Sequence, residues 1–206
     1  DKDIYKVKGV AGRISSYKNN LITPKAYQSR ADLQEADAAA RMPKIGALYA
    51  AYMEKCFRAG AMDFDDLLLK TNELFAMFPE ALARYQERFK YILVDEYQDT
   101  NHSQYLIVKA LASRYENLCV VGDDAQSIYA FRGANIRNIL NFQKDYSDAK
   151  LFKLEQNYRS SQCIVQAANS LIKHNQDQLE KNVWTENPLG ERIVVHKSVS
   201  DSDEGN

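Results

Sequence analysis

Three short apolar runs, each broken off by polar groups, restrict what this chain can fold into more than any other feature. They are Tyr91-Ile92-Leu93-Val94, running into Asp95-Glu96; Leu118-Cys119-Val120-Val121, running into Gly122-Asp123-Asp124; and Leu151-Phe152-Lys153-Leu154, running into Glu155-Gln156-Asn157. Short runs rich in branched and aromatic side chains read as buried strands. Helical spacing fills the intervals: Tyr105, Val108 and Leu111 within Gln104 to Ser113, then Ile136, Ile139 and Leu140 within Asn135 to Tyr146. Strands that alternate with helices form parallel sheets with right-handed crossovers, and ligands bind where the carboxyl ends of the strands open. The expected fold class is α/β, a parallel sheet with flanking helices, and the polar clusters should meet at one site.

Ahead of the first strand the chain reads as helical. Ile45, Leu48, Tyr49, Tyr52, Cys56 and Phe57 recur every three or four residues after Pro43, with Gly60 placed to cap the helix end. Asp63 reads as the N-cap of the next helix, with Asp66 at its third position, and Pro79 opens a short helix through Phe89. Beyond the third run, Ser160 to His174 carries Ile164, Ala167, Ala168, Leu171 and Ile172 at helical spacing, and Ile193-Val194-Val195 reads as a strand without partners in the chain. No internal repeat or low-complexity segment interrupts this order.

With 206 residues, 45% of them hydrophobic and 27% charged, the chain has a globular composition and the length for one or two domains. That composition excludes disorder, and no apolar run approaches the ~20 residues needed to cross a bilayer, so no membrane partner is expected. Lysine plus arginine total 27 against 28 for aspartate plus glutamate, which gives no global reason to expect a nucleic-acid partner. Locally there is one. Lys2, Lys6, Lys8, Arg13, Lys18, Lys25 and Arg30 stand against Asp1 and Asp3, and seven cations less two acids leave +5 in the first thirty residues. This cluster fits either a solvated helical face or contact with a phosphate backbone. Cys56, Cys119 and Cys163, odd in number and set among apolar neighbours, read as buried, reduced thiols of a cytoplasmic protein. The first residues form no signal peptide and lack a methionine, and the last, Asp201 to Asn206, are a polar tail, so the chain is expected to be cut from a longer protein.

The strand ends carry the chemistry. Carboxylates such as Asp95 and Glu96 at the end of an apolar strand suit Mg²⁺, a hard ion that takes one or two carboxylates, and a second acid can orient or deprotonate water. Acids also end strands for solubility, and Gln98, Asp99, Thr100 and Asn101 decide between the two by adding more polar groups than a solvent turn needs. After the second strand, the Gln126 amide stands where it could bond a terminal phosphate or its attacking water. Next come Tyr129, Phe131 and Arg132, which fit either a core or a platform on which bases stack while the guanidinium meets a phosphate. After the third run, Arg159 at the start of a helix gains nothing from the dipole there, which favours anions, so an anionic ligand is expected. In that position it could stabilise charge on a transferring phosphoryl group, with Tyr158 offering a flat face to a base. None of the eight glycines begins a Gly-x-x-x-x-Gly-Lys-Ser/Thr loop. The chain cannot cradle a triphosphate in that way unaided.

Together, Ile92 to Thr100, Val121 to Ala134 and Leu154 to Ser160 resemble motifs II, III and IV of the UvrD/PcrA/Rep-type helicases of superfamily 1. Met62-Asp63-Phe64-Asp65-Asp66-Leu67-Leu68 resembles the segment that precedes motif II in that family, and the similarity spans about residues 45 to 190. The resemblance implies a partial RecA-like sheet preceded by a helical subdomain: residues 1–60 as the later part of insertion 1B, 61–157 as the second half of domain 1A, and 158–206 as the opening of 2A. It implies ATP and Mg²⁺ as cofactors, with Asp95 and Glu96 at the metal, Glu96 activating water, Gln126 sensing the γ-phosphate, Tyr158 stacking on adenine and Arg159 meeting the γ-phosphate. Tyr129, Phe131 and Arg132 match the part of motif III that faces single-stranded DNA, and the basic N-terminus would lie near the duplex junction. Tyr97, Ala125, Ala130 and Phe131 depart from the commoner Phe, Asp, Gly and Trp of the family, and the smaller ring at 131 would stack less strongly.

The reading that follows is the central piece of an ATP-dependent DNA helicase moving 3′ to 5′, inert by itself because the Walker A loop and motifs V and VI lie outside it. Two alternatives stand beside it. One is a Mg²⁺-dependent nuclease built on Asp95, Glu96, Asp99, Asp123 and Asp124. The other is a non-catalytic DNA-binding module. An incomplete sheet would also leave an open edge, through which the piece is expected to self-associate.

Overall fold

The computed structural model describes residues 4–176 and 178–205, the side chain of Arg132 lying outside the described set. In chain order the elements are α1 (Val7–Asn19), α2 (Pro24–Gln28), α3 (Ala31–Ala39), α4 (Ile45–Arg58), α5 (Phe64–Met77), α6 (Pro79–Arg88), β1 (Ile92–Val94), α7 (His102–Ala112), β2 (Leu118–Val120), α8 (Arg137–Leu140), α9 (Phe142–Asp145), α10 (Gln162–Ile172) and α11 (Asp201–Glu204). They fall into two compact units, Asp1–Asn141 and Phe142–Asn206. Among the described residues no helix is long and apolar enough to cross a membrane.

In the first unit α4, α5, α6 and α7 form close to where the sequence places them, while α1 to α3 fall in a stretch read only as mainly helical. The Asp63 carboxylate accepts the Asp66 N–H while the Asp66 carboxylate accepts the Asp63 N–H, a reciprocal cap that starts α5. Gly60, with φ +59°, follows the end of α4. The main core is Ile14, Tyr17, Tyr27, Ile45 and Tyr49, with Val10, Ile22, Leu33, Met42 and Met53 packed on it. Into this core is set the Asp37 carboxylate, which accepts hydrogen bonds from the hydroxyls of Tyr17 and Tyr27 and pairs with Arg13. Burial and the neighbouring Asp37 push the Tyr17 hydroxyl up to about 12.

A second buried charge joins α1 to α5. Lys18 is fully buried, its Nζ lying 2.7 Å from Asp63 Oδ2 and 2.8 Å from Asp66 Oδ1. Burial alone would raise the Asp63 carboxyl, but Lys18 and the Asp66 N–H hold it below the usual carboxylate range. These contacts take Lys18 and Arg13 out of the basic cluster, while Lys6, Lys8 and Lys25 stay exposed and Arg30, exposed as well, pairs with Asp32. Lys2 lies outside the described residues.

The sheet is smaller than the three runs suggest. β1 and β2 pair in parallel, Ile92 with Leu118, Leu93 with Cys119 and Val94 with Val120. Val94 faces Leu68 of α5 and Ile107 and Val108 of α7, while on the other face Leu93 is 78% exposed and Cys119 is exposed as well. The strands are therefore covered on one face only, and the expectation of buried thiols fails: Cys119 is exposed, and Cys56 and Cys163 are half-buried.

No strand forms at residues 151–154, where Leu151, Phe152 and Leu154 are exposed. An apolar run needs a partner ladder and a covering layer to become a strand. Pairing appears slightly later instead, where Trp184 N–H donates to Glu155 O and Asn157 N–H donates to Trp184 O in a single parallel bridge centred on Gln156. Ile193 to Val195, equally exposed, also stays out of any strand. The expected helix over residues 135–146 is divided into α8 and α9, the break falling where Asn141 caps α8 by donating to Arg137 O.

Candidate functional site

The end of β1 turns sharply because Glu96 adopts a left-handed backbone, φ 50° and ψ 40°. For a residue with a Cβ that conformation costs about 1–2 kcal/mol, and strain of this kind persists only where surrounding contacts hold it. Here Asp95 Oδ1 accepts the Glu96 N–H at 2.9 Å, and Tyr97 N–H donates to Val121 O at 3.0 Å. A 3-10 turn over Tyr97–Asp99 follows, with Tyr97 and Gln98 each 1% exposed. Asn101 then starts α7 by a reciprocal cap with Gln104.

The end of β2 comes to the same place. Gln98 Nε2 donates to Glu96 Oε2 at 2.8 Å, and Gln98 Oε1 accepts the Asp123 N–H at 3.0 Å. Asp123 Oδ2 accepts from Gln126 Nε2 at 2.8 Å. Glu96 and Gln126 thus stand at the two ends of one hydrogen-bonded chain. In this state the Gln126 amide is turned to Asp123.

The loop after β2 is fixed where it returns. Ala134 pairs with Asn101, Asn135 N–H donates to Thr100 O, and the buried Asn138 amide donates to both oxygens of Thr100 at 3.0 Å. Between these anchors Tyr129 and Phe131 are presented as a tilted pair, ring centroids 5.9 Å apart. Phe131 is 78% exposed, so it is not a core residue of this chain. Of the Arg132 side chain, which lies outside the described residues, nothing is placed.

A groove of about 360 Å³ opens beside the end of β1. Asp95, Glu96, Asp99, Thr100 and Gln104 supply its polar wall, Val94, Leu68 and Ile107 its apolar one. Asp99 Oδ1 is buried there without a hydrogen-bond partner. A buried carboxylate oxygen left without a donor fits a cation, and the hard oxygens of neighbouring Asp95 and Glu96 fit a divalent one such as Mg²⁺. Among the described residues no three His, Cys, Asp or Glu side chains gather as a metal cage. An ion that keeps most of its water and takes one or two carboxylates needs no such cage, whereas the five-carboxylate cluster of a nuclease finds no support in that arrangement.

Tyr158 and Arg159 belong to the second unit. The Tyr158 ring is exposed and its hydroxyl donates to Gln156 Oε1 at 2.7 Å. Asn157 Oδ1 accepts the N–H groups of Arg159 and Ser160, a turn that sets the following helix apart. That helix, α10, starts at Gln162, with Ser161 at its N-cap position but making no side-chain capping bond, so Arg159 lies outside its first turn. The dipole argument for an anionic partner therefore does not apply to Arg159.

Four residues organise the site beyond what the sequence offered for them: Gln98, Thr100 and Asn101, read there only as extra polar groups, and Asn138, not singled out at all. Only one had a local signal: Asn101-His102-Ser103-Gln104 has the spacing of a reciprocal cap.

Comparison with known proteins extends beyond the motifs. The profile of the UvrD/REP helicase N-terminal domain matches residues 1–147, and that of the UvrD-like helicase C-terminal domain matches residues 152–206, both past the 45–190 span of the motif resemblance. The chain is 46% identical over 208 residues to the ATP-dependent DNA helicase PcrA of Leuconostoc citreum, covering 100% of this chain and 27% of that protein. It is 48% identical over 193 residues to the protein of the same name in Staphylococcus aureus, covering 94% of this chain and 26% of that one. The chain thus spans about a quarter of the length of the curated relatives it matches.

Proposed function

The chain belongs to the UvrD/REP helicase family, and from that premise we propose that it is the central part of an ATP-dependent DNA helicase that couples ATP hydrolysis to 3′ to 5′ movement on single-stranded DNA and to duplex unwinding. In this reading residues 1–60 are a 1B-like helical part, 61–157 the second half of a RecA-like domain 1A, and 158–206 the start of domain 2A. The whole enzyme works in the cytoplasm. This segment, which has no phosphate-cradling loop of its own, does not turn over ATP alone.

Asp95 and Glu96 would hold Mg²⁺, which when bound would supply charge neutralisation at the phosphates. Glu96 also orients the attacking water and accepts its proton. Its left-handed backbone and its bond from Gln98 fix where that carboxylate points. Gln126 reports the terminal phosphate by leaving Asp123 for it, and the loop it begins carries Tyr129, Phe131 and Arg132 to single-stranded DNA. Tyr158 stacks on the adenine and Arg159 stabilises charge on the transferring phosphoryl group.

The observation that carries the reading is the convergence of the two strand ends: the Glu96 carboxylate and the Gln126 amide, thirty residues apart, are joined through Gln98 and Asp123. The test is Glu96→Gln in the full-length helicase. The proton acceptor is removed while Asp95 keeps a carboxylate for the metal, so ATP hydrolysis should fall by about 10²-fold or more while nucleotide binding persists. Undiminished hydrolysis would show that Glu96 has another role.

A further inference from the structure

Gln98 is nearly as buried as any side chain in the first unit, at 1% exposure, yet it carries a primary amide, a group that needs partners when it leaves water. Both ends of that amide are engaged by partners that accept only one orientation. The Glu96 carboxylate can only accept, so it faces Nε2 at 2.8 Å, and the Asp123 N–H can only donate, so it faces Oε1 at 3.0 Å. The Gln98 backbone carbonyl also accepts the Ser127 hydroxyl at 3.3 Å. One residue after β1 therefore contacts the strained end of its own strand, the exit of β2, and the start of the loop that leads to Tyr129 and Phe131.

The space around it is fitted to the amide. A Cβ on Gly122 would lie 2.5 Å from Gln98 Oε1, 2.9 Å from Ile139 Cδ1 and 3.2 Å from Tyr97 N. A side chain at 122 would push the Gln98 amide from the place where it meets the Asp123 N–H, which the hydrogen of glycine does not.

We propose that Gln98 is a positioning residue that ties the Glu96 carboxylate to the Asp123–Gln126 pair, so that the amide reporting the terminal phosphate and the carboxylate acting on water move as one unit. The proposal rests on the reading of Glu96 and Gln126 given above and deepens it. When Gln126 leaves Asp123, the change reaches the Asp123 backbone, then the Gln98 amide, then Glu96, through bonds that alternate donor and acceptor without a gap. The same path runs toward the loop bearing the DNA-facing aromatics by way of Ser127.

Gln98→Leu removes both bonds at similar volume. Gln98→Glu keeps an acceptor for the Asp123 N–H but sets a like charge against Glu96, so it cuts only the catalytic half of the link. In the full-length helicase, each should lower the DNA-stimulated kcat about 10-fold or more, as expected for losing a bond to a charged group, with the KM for ATP changed less than about 2-fold because Gln98 is buried and lies outside the lining of the groove beside β1. The double variant Gln98→Leu with Gln126→Ala should lose no more kcat than the larger single loss, since the path is already broken. A residue with a merely structural role would give losses that multiply. Multiplied losses, or a wild-type kcat in both Gln98 variants, would overturn the proposal. If Gln98→Leu does not fold, the same cycle with Gln98→Glu decides. Glu96→Gln run in parallel separates the two levels: inactive Glu96→Gln beside fully active Gln98 variants removes the coupling alone, whereas active Glu96→Gln removes the reading of Glu96 and the coupling with it.

Discussion

Replacing Lys18 by methionine should unsettle this chain more than replacing any exposed lysine. The ammonium is fully buried, 2.7 Å from Asp63 Oδ2, 2.8 Å from Asp66 Oδ1 and 4.8 Å from the centre of the Tyr52 ring. Methionine fills the same stem but leaves Asp66, only 2% exposed, as a buried carboxylate whose Oδ1 has no hydrogen-bond donor to replace the cation. Breaking a buried pair in this way costs about 3–5 kcal/mol, a large share of the 5–15 kcal/mol by which domains are typically stable. Asp63, one-third exposed, can turn to water and adds little to that loss. Urea unfolding of the 206-residue chain, followed by far-ultraviolet circular dichroism, measures it. Because the cost comes from the stranded carboxylate, Lys18→Met with Asp66→Leu should recover most of the stability that Lys18→Met loses. A loss below about 1 kcal/mol, or a double variant no more stable than the single one, would refute the reasoning.

The same cluster gives a pH dependence. The folded Asp63 carboxyl titrates below its unfolded value, so its contribution is fully present above about pH 4 and is lost as the pH falls through the lower folded value; Lys18→Met should flatten this acid limb, and an unchanged limb would place the effect elsewhere. Phe131→Ala in the full-length helicase should weaken DNA-stimulated turnover more than basal turnover, by a factor corresponding to about 1–3 kcal/mol of lost base stacking. Equal losses would make Phe131 a packing residue in the assembled protein, despite its exposure in this chain.

What could be read from the residues in order was whatever is decided locally. The Asp63 and Asp66 cap depends on residues three apart, and the acid-terminated run at Val94 and Asp95 depends on neighbours, so both were legible. The run at 151–154 carries a similar local pattern and forms no strand, because a strand needs a ladder and a covering layer that the pattern does not contain. Leu93 and Cys119 are open for a related reason: their burial depends on a layer that the flanking residues do not specify. Lys18 sits among polar residues of α1 and looks like surface; its partners are 45 and 48 positions away. Gln98 shows the same limit within the site, since its importance comes from how closely β2 passes at Gly122.

A structure of the full-length helicase with Mg²⁺ and a non-hydrolysable ATP analogue tests the central claim most directly. The account predicts Asp95 at the metal, Glu96 within hydrogen-bond reach of the water in line with the terminal phosphate, and the Gln126 amide turned from Asp123 toward that phosphate. A triphosphate seated away from the ends of β1 and β2, with Glu96 still bonded only to Gln98 and Gln126 only to Asp123, would contradict it.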